Sequence, residues 1–122
     1  MACNTQCQNA QPMCVVRGRS SYTVLYPQGV DEAGESVPYT LEAGEYLLFG
    51  VKKRRTETLL LTKEVTSADL IEEGAYMLYL SPDDTAQLPL GVDLIYDVSL
   101  ISGTDKLTAI YPNEFVLCDN VT

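Results

Sequence analysis

The residues of this 122-residue chain with the most distinctive chemistry are its four cysteines: Cys3, Cys7, Cys14 and Cys118. Four thiolates can hold zinc in a tetrahedral site, although the paired C-x2-C spacing usual in such sites is missing. A disulfide from one of the first three cysteines to Cys118 would join the two ends of the chain, whereas thiols stay free in a reducing compartment. We expect free thiols and no cofactor, with a zinc site and a disulfide as the alternatives.

Acidic side chains are the other candidates for chemistry. Adjacent pairs occur at 31–32, 72–73 and 83–84. Asp83 and Asp84 directly follow an apolar run, where a carboxylate dyad could carry out acid–base catalysis. The same residues come after Ser81, and Ser followed by Pro and two carboxylates is typical of a helix start, where negative charge offsets the helix dipole. We therefore predict a short capped helix here and no catalytic site.

The composition excludes several classes of function. The chain has no His and no Trp, so His-based catalysis and His-ligated metals are excluded, and we expect no enzyme activity. Seventeen acidic and eight basic side chains give a net charge of −9, which repels nucleic acid and anionic lipid. No apolar run is long enough for a membrane span, and the first residues lack a signal-peptide pattern. We expect no nucleic-acid or membrane partner and no secretion.

Half of the positive charge lies in one run, which consists of Lys52, Lys53, Arg54 and Arg55. Because it lies between the apolar runs 45–51 and 58–65, it predicts the solvated tip of a β-hairpin. The alternative is a patch that docks an acidic partner. Eight Tyr residues exceed the needs of one small core, and Tyr is enriched in interfaces. Tyr39 and Tyr46 join the four cations as our candidate interaction residues.

Short alternating segments dominate the remainder of the chain. We predict strands at 20–26, 45–51, 58–65, 75–80, 92–101, 106–111 and 115–118, separated by Gly, Pro and polar turns. In the first, Tyr22, Val24 and Tyr26 alternate with Ser21 and Thr23, as in a half-buried strand. The third is apolar on both faces at its start, which predicts a central position in a sheet. We predict that residues 30–36 form a polar loop. We predict that residues 66–74 form a turn that contains one helical turn capped by Ser67.

These elements predict an all-β protein, an antiparallel immunoglobulin-like β-sandwich of about seven strands with one short helical turn. Residues 15–122 form this domain. Residues 1–14 are rich in Asn, Gln and Cys and show no periodicity, so they read as an irregular amino-terminal arm.

Several segments resemble a known family. They are Leu-Phe-Gly-Val-Lys-Lys at 48–53, the strand and Ser-Pro-Asp-Asp-Thr turn with Leu-Pro-Leu-Gly at 78–91, Ile-Tyr-Asp-Val at 95–98, and the closing Phe-Val-Leu and Val-Thr at 115–117 and 121–122. Together they are similar to the amino-terminal domain of phage baseplate upper proteins and related tail-fibre attachment domains. The resemblance covers residues 44–122.

The resemblance implies a non-enzymatic structural protein of a phage or prophage particle, located in the virion and assembled in the host bacterial cytoplasm. Its partners would be other virion proteins and further copies of itself, and its place could be the baseplate, tail fibre, neck or capsid. A different class of function is a small carbohydrate or cell-surface binding module. Such a module would use loop 27–44, where Tyr39 lies beside Glu42 and Glu45.

Overall fold

A computed structural model of the protein describes residues 12–30 and 32–119 and shows an all-β fold. The strands within these residues are β1 (Met13–Val16), β2 (Ser21–Leu25), β3 (Gln28–Val30), β4 (Ser36–Pro38), β5 (Tyr46–Lys53), β6 (Leu59–Val65), β7 (Leu70–Glu72), β8 (Ala75–Leu80), β9 (Leu94–Ser102) and β10 (Asp105–Cys118). A 3₁₀ turn spans Ser67–Asp69, and the single-turn helix α1 spans Pro82–Ala86. The predicted all-β class is confirmed.

The strands form three sheets, and the two larger sheets share one core. The largest has the order β1-β10-β9-β5-β6, the second has the order β2-β8-β7, and β3 pairs with β4. Buried side chains of the two larger sheets make a single hydrophobic cluster, which includes Leu47, Phe49, Val51, Leu61, Leu94, Tyr96, Val98 and Phe115 from the first sheet and Leu25, Tyr76, Leu78 and Leu80 from the second. The inner faces of these two sheets are therefore buried against a shared core.

Strand β9 shows why the local pattern selects this fold. Leu94, Tyr96 and Val98 alternate along the strand and are buried, and Asp97 between them is only half-buried. Successive side chains of a strand point to opposite faces, so a period of two places one row in the core and the other outside. The alternation holds only as far as Val98, because Ser99 on the outer row is also buried and Leu100 on the inner row is only half-buried.

Strand β1 departs from the predicted antiparallel arrangement. It pairs with β10 in parallel, with Met13 opposite Phe115 and Val16 opposite Cys118. Met13 is buried and Cys14 lies in the strand, so these two residues belong to the sheet and not to the arm to which the sequence assigned them. Residues 1–11 of the predicted arm lie outside the described residues.

Strand β6 lies at the edge of its sheet, so the predicted central position is wrong. Its first residue, Leu59, is apolar for a local reason. A Cβ on Gly50 of the neighbouring strand would come within 2.9 Å of Leu59 Cδ2, so the Leu59 side chain covers the space that this glycine leaves open. Filling such a gap contributes packing even at a sheet edge.

Strand β10 joins the two predicted strands 106–111 and 115–118 into one. Its pairing with β9 shifts register between Thr108 and Ile110 and again between Ile110 and Asn113. Pro112 lies within the second shift, where it costs no regular ladder hydrogen bond. Pro112, which lies between the two predicted strands, therefore marks a bulge in one continuous strand.

The turns are more regular than predicted. The segment that includes the predicted loop 30–36 forms the β3–β4 hairpin, with Val30 paired to Ser36. The 3₁₀ turn is capped by Thr66, whose hydroxyl accepts from the Ala68 N–H, and not by Ser67. No helix among the described residues is long and apolar enough to cross a membrane.

Candidate functional site

The basic run lies at the turn between β5 and β6, so the predicted hairpin tip is confirmed. Lys53, Arg54 and Arg55 are exposed, and Arg55 has a positive φ of 69°. The Arg54 Nε–H donates to Asp93 Oδ2 at 2.6 Å, and the Arg54 backbone N–H donates to the Asp93 carbonyl at 2.9 Å. The side-chain hydrogen bond with Asp93 raises the pKa of Arg54. One of the four cations is therefore paired with a neighbouring carboxylate.

The structure does not bring Tyr39 and Tyr46 to this basic turn. Tyr46 is the first residue of β5 and Lys53 is the last. At the rise of an extended strand these two ends are about 23 Å apart. Tyr39 bonds to Glu45, beside Tyr46, and so lies at the far end from the cations. The six candidate interaction residues belong to two separate regions.

Tyr39 and Glu45 form a hydrogen-bonded pair. The Tyr39 hydroxyl donates to Glu45 Oε1 at 2.6 Å, and the Glu42 N–H donates to the same oxygen at 2.8 Å. The bond to Glu45 raises the pKa of Tyr39 to about 12, and the bond from Tyr39 lowers the pKa of Glu45. A Cβ on Gly29 would meet Tyr39 Cδ1 at 3.2 Å, so the ring lies directly over this glycine. Two of the three candidate sugar-binding residues, Tyr39 and Glu45, therefore bond to each other.

We expect the Glu45 contribution to stability to depend on pH. Its folded-state pKa is lowered, so the contribution is present above the unfolded-state pKa of about 4.5 and is lost as the pH falls through the lower folded-state value. Glu45→Gln should cost about 1 kcal/mol at pH 7, and the difference from the wild type should shrink towards pH 3. Thermal unfolding of both proteins at the two pH values measures this change. Glu57→Gln, at an exposed site, is the control for loss of one charge, and an equal gap at both pH values would contradict the pairing.

The two carboxylates at 83–84 have separate environments. Asp84 Oδ2 accepts from the Ser81 N–H at 2.8 Å and from Lys63 Nζ at 2.9 Å. Partial burial acts to raise the pKa of Asp84, but the bonds from Lys63 and Ser81 outweigh it and lower the pKa. Asp83 is exposed in the first turn of α1. Because Ser81 also accepts from the Asp84 N–H, the two residues form a capping box, as the predicted helix start requires.

A surface that the sequence reading did not single out lies on the outer side of the three-stranded sheet. Tyr22 pairs with Tyr79 across β2 and β8, and Val24 pairs with Met77 two residues along, so the four side chains share one face. The Tyr22 and Tyr79 rings have centroids 4.9 Å apart and are 67% and 40% exposed. We call Tyr22, Val24, Met77 and Tyr79 the tyrosine face. Just beyond its edge, Tyr26 is 58% exposed.

The alternating pattern of β2 predicted two rows of side chains on opposite faces, but it did not show which row is exposed. Tyr22, Val24 and Tyr26 form the more apolar row of the segment, which normally faces the core. In the structure Leu25 is buried and Tyr22 and Tyr26 are exposed. The more apolar row therefore points away from the core, a reversal that only the position of the sheet reveals.

The cysteines at the two ends of the described chain come together. Cys14 Sγ and Cys118 Sγ lie 3.7 Å apart in a partly buried contact on the β1–β10 edge. Cys3 and Cys7, the other two residues of the alternative zinc site, lie outside the described residues. Among residues 12–30 and 32–119, no three His, Cys, Asp or Glu side chains gather into a metal-binding group.

The two best-formed cavities of the described residues are small. One, beside Tyr39 and Leu107, has a volume of about 180 Å³, and the other, beside Asp93 and Glu114, has about 260 Å³. Pockets that enclose a drug-sized ligand are about 300–1,000 Å³. Among the described residues, neither of these two cavities reaches that size, whereas the tyrosine face presents two exposed aromatic rings in contact.

No protein-family model matches the chain, and no curated protein matches it.

Proposed function

We propose that this chain is a non-enzymatic structural protein of a phage or prophage particle. It is an immunoglobulin-like β-sandwich module that attaches to further copies of itself and to other virion proteins. The observation that carries the attachment role is the tyrosine face. The virion assignment rests on the similarity of residues 48–53, 78–91 and 95–98 to phage baseplate and tail-fibre attachment domains.

The tyrosine face has the composition of a protein-binding surface. Tyr supplies a large apolar ring together with a polar hydroxyl, and it is enriched at the centres of interfaces. The Tyr22 and Tyr79 rings are in contact, so they lose little further freedom on binding, and Val24 and Met77 extend the apolar area beside them. Burial of this face by a partner would remove exposed aromatic area from water, which is the main source of affinity in such contacts.

The charges of the chain indicate which kinds of contact it can make with a partner. With a net charge of −9 the chain repels copies of itself at long range, so association needs a local apolar contact. The basic turn, at which Lys53, Arg54 and Arg55 are exposed, offers a second and separate contact for an acidic region of a neighbour. These two surfaces suit a module that is held between other proteins of an assembly.

The alternative function, a small carbohydrate-binding module, has less support. Its best candidate residues were Tyr39, Glu42 and Glu45. The Tyr39 hydroxyl and a Glu45 carboxylate oxygen bond to each other, and the Tyr39 ring covers Gly29. A sugar would have to compete with these internal contacts, so we favour attachment.

Light scattering of the purified full-length chain tests the tyrosine face. We expect a mass above that of one chain that rises with concentration, and we expect Tyr22→Glu and Tyr79→Glu to weaken association at least about tenfold. Leu107→Glu is the matched control, because Leu107 is 56% exposed on the other sheet and lies outside the face. A chain that stays monomeric throughout, or equal effects of all three changes, would refute the role of this face in self-association.

A further inference from the structure

Strand β2 forms one edge of the three-stranded sheet. The order of that sheet is β2-β8-β7, and among the described residues β2 pairs with β8 only. The outer side of an edge strand presents backbone N–H and C=O groups that can pair with a strand of another chain. The edge at β2 therefore adjoins the tyrosine face and offers a second kind of contact, through the backbone.

The four edge strands of the two larger sheets are protected to different degrees. Proteins prevent unwanted pairing at an edge with charged side chains, bulges and short strands. Strand β6 carries Lys63 and Glu64, and the three-residue strand β7 carries Glu72 and a register shift. Strand β1 has four residues, none of which is exposed. Strand β2, with the sequence Ser-Tyr-Thr-Val-Leu, has no charge, no proline and no register shift against β8. Of these four edges, β2 is the most open to pairing.

The sequence of β2 suits an antiparallel pair with a second copy of itself. In a pair centred on Thr23, the two Thr23 residues lie opposite each other, and Tyr22 of each copy lies opposite Val24 of the other. Pairs of two threonines, and pairs of an aromatic with a β-branched side chain, are favourable across antiparallel strands. Tyr22 and Val24 both belong to the tyrosine face, so this register joins the tyrosine faces of the two copies into one surface.

Charge and contact area both bear on this arrangement. Each copy has a net charge of −9, so two copies pack closely only where neither presents a charge, and β2 has none. The exposed parts of Tyr22, Tyr26 and Tyr79, at 67%, 58% and 40%, amount to on the order of 300 Å² per copy. A standard interface buries about 800 Å² per partner. The rings alone are too small for a stable dimer, so backbone hydrogen bonds of the strand pair have to contribute, and the dimer is weak.

We propose that two copies of this chain associate by antiparallel pairing of their β2 strands, which joins two three-stranded sheets into one sheet of six strands. The same residues meet on both sides of a two-fold axis, so the contact closes at two copies. This inference rests on the self-association proposed above and specifies its geometry.

Cysteine cross-linking of the full-length chain tests the pairing. Thr23→Cys places two thiols opposite each other in the dimer, at a Cα separation of about 4.5–5.5 Å that a disulfide can span. Thr62→Cys, at an exposed position of the edge strand β6, is the matched control. On mild oxidation we expect at least about ten times more cross-linked dimer from Thr23→Cys than from Thr62→Cys. Peptide mapping identifies the bond, because trypsin releases residues 20–52, which contain no native cysteine.

Hydrogen exchange of the wild type tests the pairing without a substitution. We expect amides of residues 21–25 to exchange at least about fivefold more slowly at high than at low protein concentration, whereas those of β6 stay unchanged. Two results would overturn the strand pairing and leave self-association through the tyrosine face in place. They are equal cross-linking by Thr23→Cys and Thr62→Cys, and β2 amides whose exchange is unchanged in the associated chain. A chain that is monomeric in light scattering at every concentration would refute both.

Discussion

Replacing Gly74 by alanine is expected to destabilise the protein by about 3 kcal/mol, the largest effect that we expect from a single methyl group. Gly74 is buried in the turn between β7 and β8 and has a φ of +76°, a conformation that costs an L-residue about 1–2 kcal/mol. A Cβ at this position would lie 2.4 Å from Pro38 Cβ, well inside any real contact distance. The β3–β4 hairpin and the three-stranded sheet would therefore have to separate.

Gly91→Ala is the matched control for this experiment. Gly91 has nearly the same φ, +75°, but no atom lies within 4 Å of the position that its Cβ would occupy. We expect it to cost only the conformational strain, about 1 kcal/mol. Urea unfolding of both variants measures the difference. Equal destabilisation by the two changes would show that Pro38 does not pack on Gly74 as the structure has it.

Replacing Thr85 by valine is expected to destabilise the protein by about 2–3 kcal/mol although the volume of the side chain hardly changes. Thr85 is fully buried. Its hydroxyl accepts from the Gly18 N–H at 2.8 Å and lies 3.1 Å from the Arg19 carbonyl, to which it can donate. Valine would remove the hydroxyl to which these two backbone groups bond. The turn before β2 would then lose its hydrogen bonds to α1, and Tyr22 lies in β2 directly after this turn.

Two further variants separate the hydroxyl from the methyl group. Thr85→Ser keeps the hydroxyl and should cost about 1 kcal/mol for the lost methyl. Thr62→Val, at an exposed position on β6, should stay within about 0.5 kcal/mol of the wild type. If chemical unfolding places Thr85→Val as close to the wild type as Thr62→Val, the hydroxyl does not link α1 to the turn before β2.

The strands and turns could be predicted from the sequence wherever they depend on residues that are close together in the chain. The alternation of Leu94, Tyr96 and Val98 identified β9 because burial of one face repeats every second residue. Ser81 and Asp84 identified the start of α1 because a capping box depends on residues only three apart. Lys52 to Arg55 identified a hairpin tip for the same reason.

The features that depend on distant residues were missed. The parallel pairing of β1 with β10 joins segments about a hundred residues apart, and no local pattern contains that pairing. The contact of Gly74 with Pro38 and the bonds of Thr85 to the turn at 18–19 also join residues that are far apart in the sequence. The outward direction of Tyr22 depends on which face of the second sheet meets the core, and a strand pattern gives the two faces without saying which of them is buried.

The central claim is that the chain is a structural component of a phage or prophage particle, and the composition of purified particles tests it most directly. Particles from a bacterium that carries the gene are separated on a density gradient, and their proteins are measured by quantitative mass spectrometry. We expect peptides of this chain in the particle fraction, at a constant ratio to the other virion proteins across the peak. Intact particles that lack the chain, with the chain recovered only from the soluble fraction, would contradict the claim.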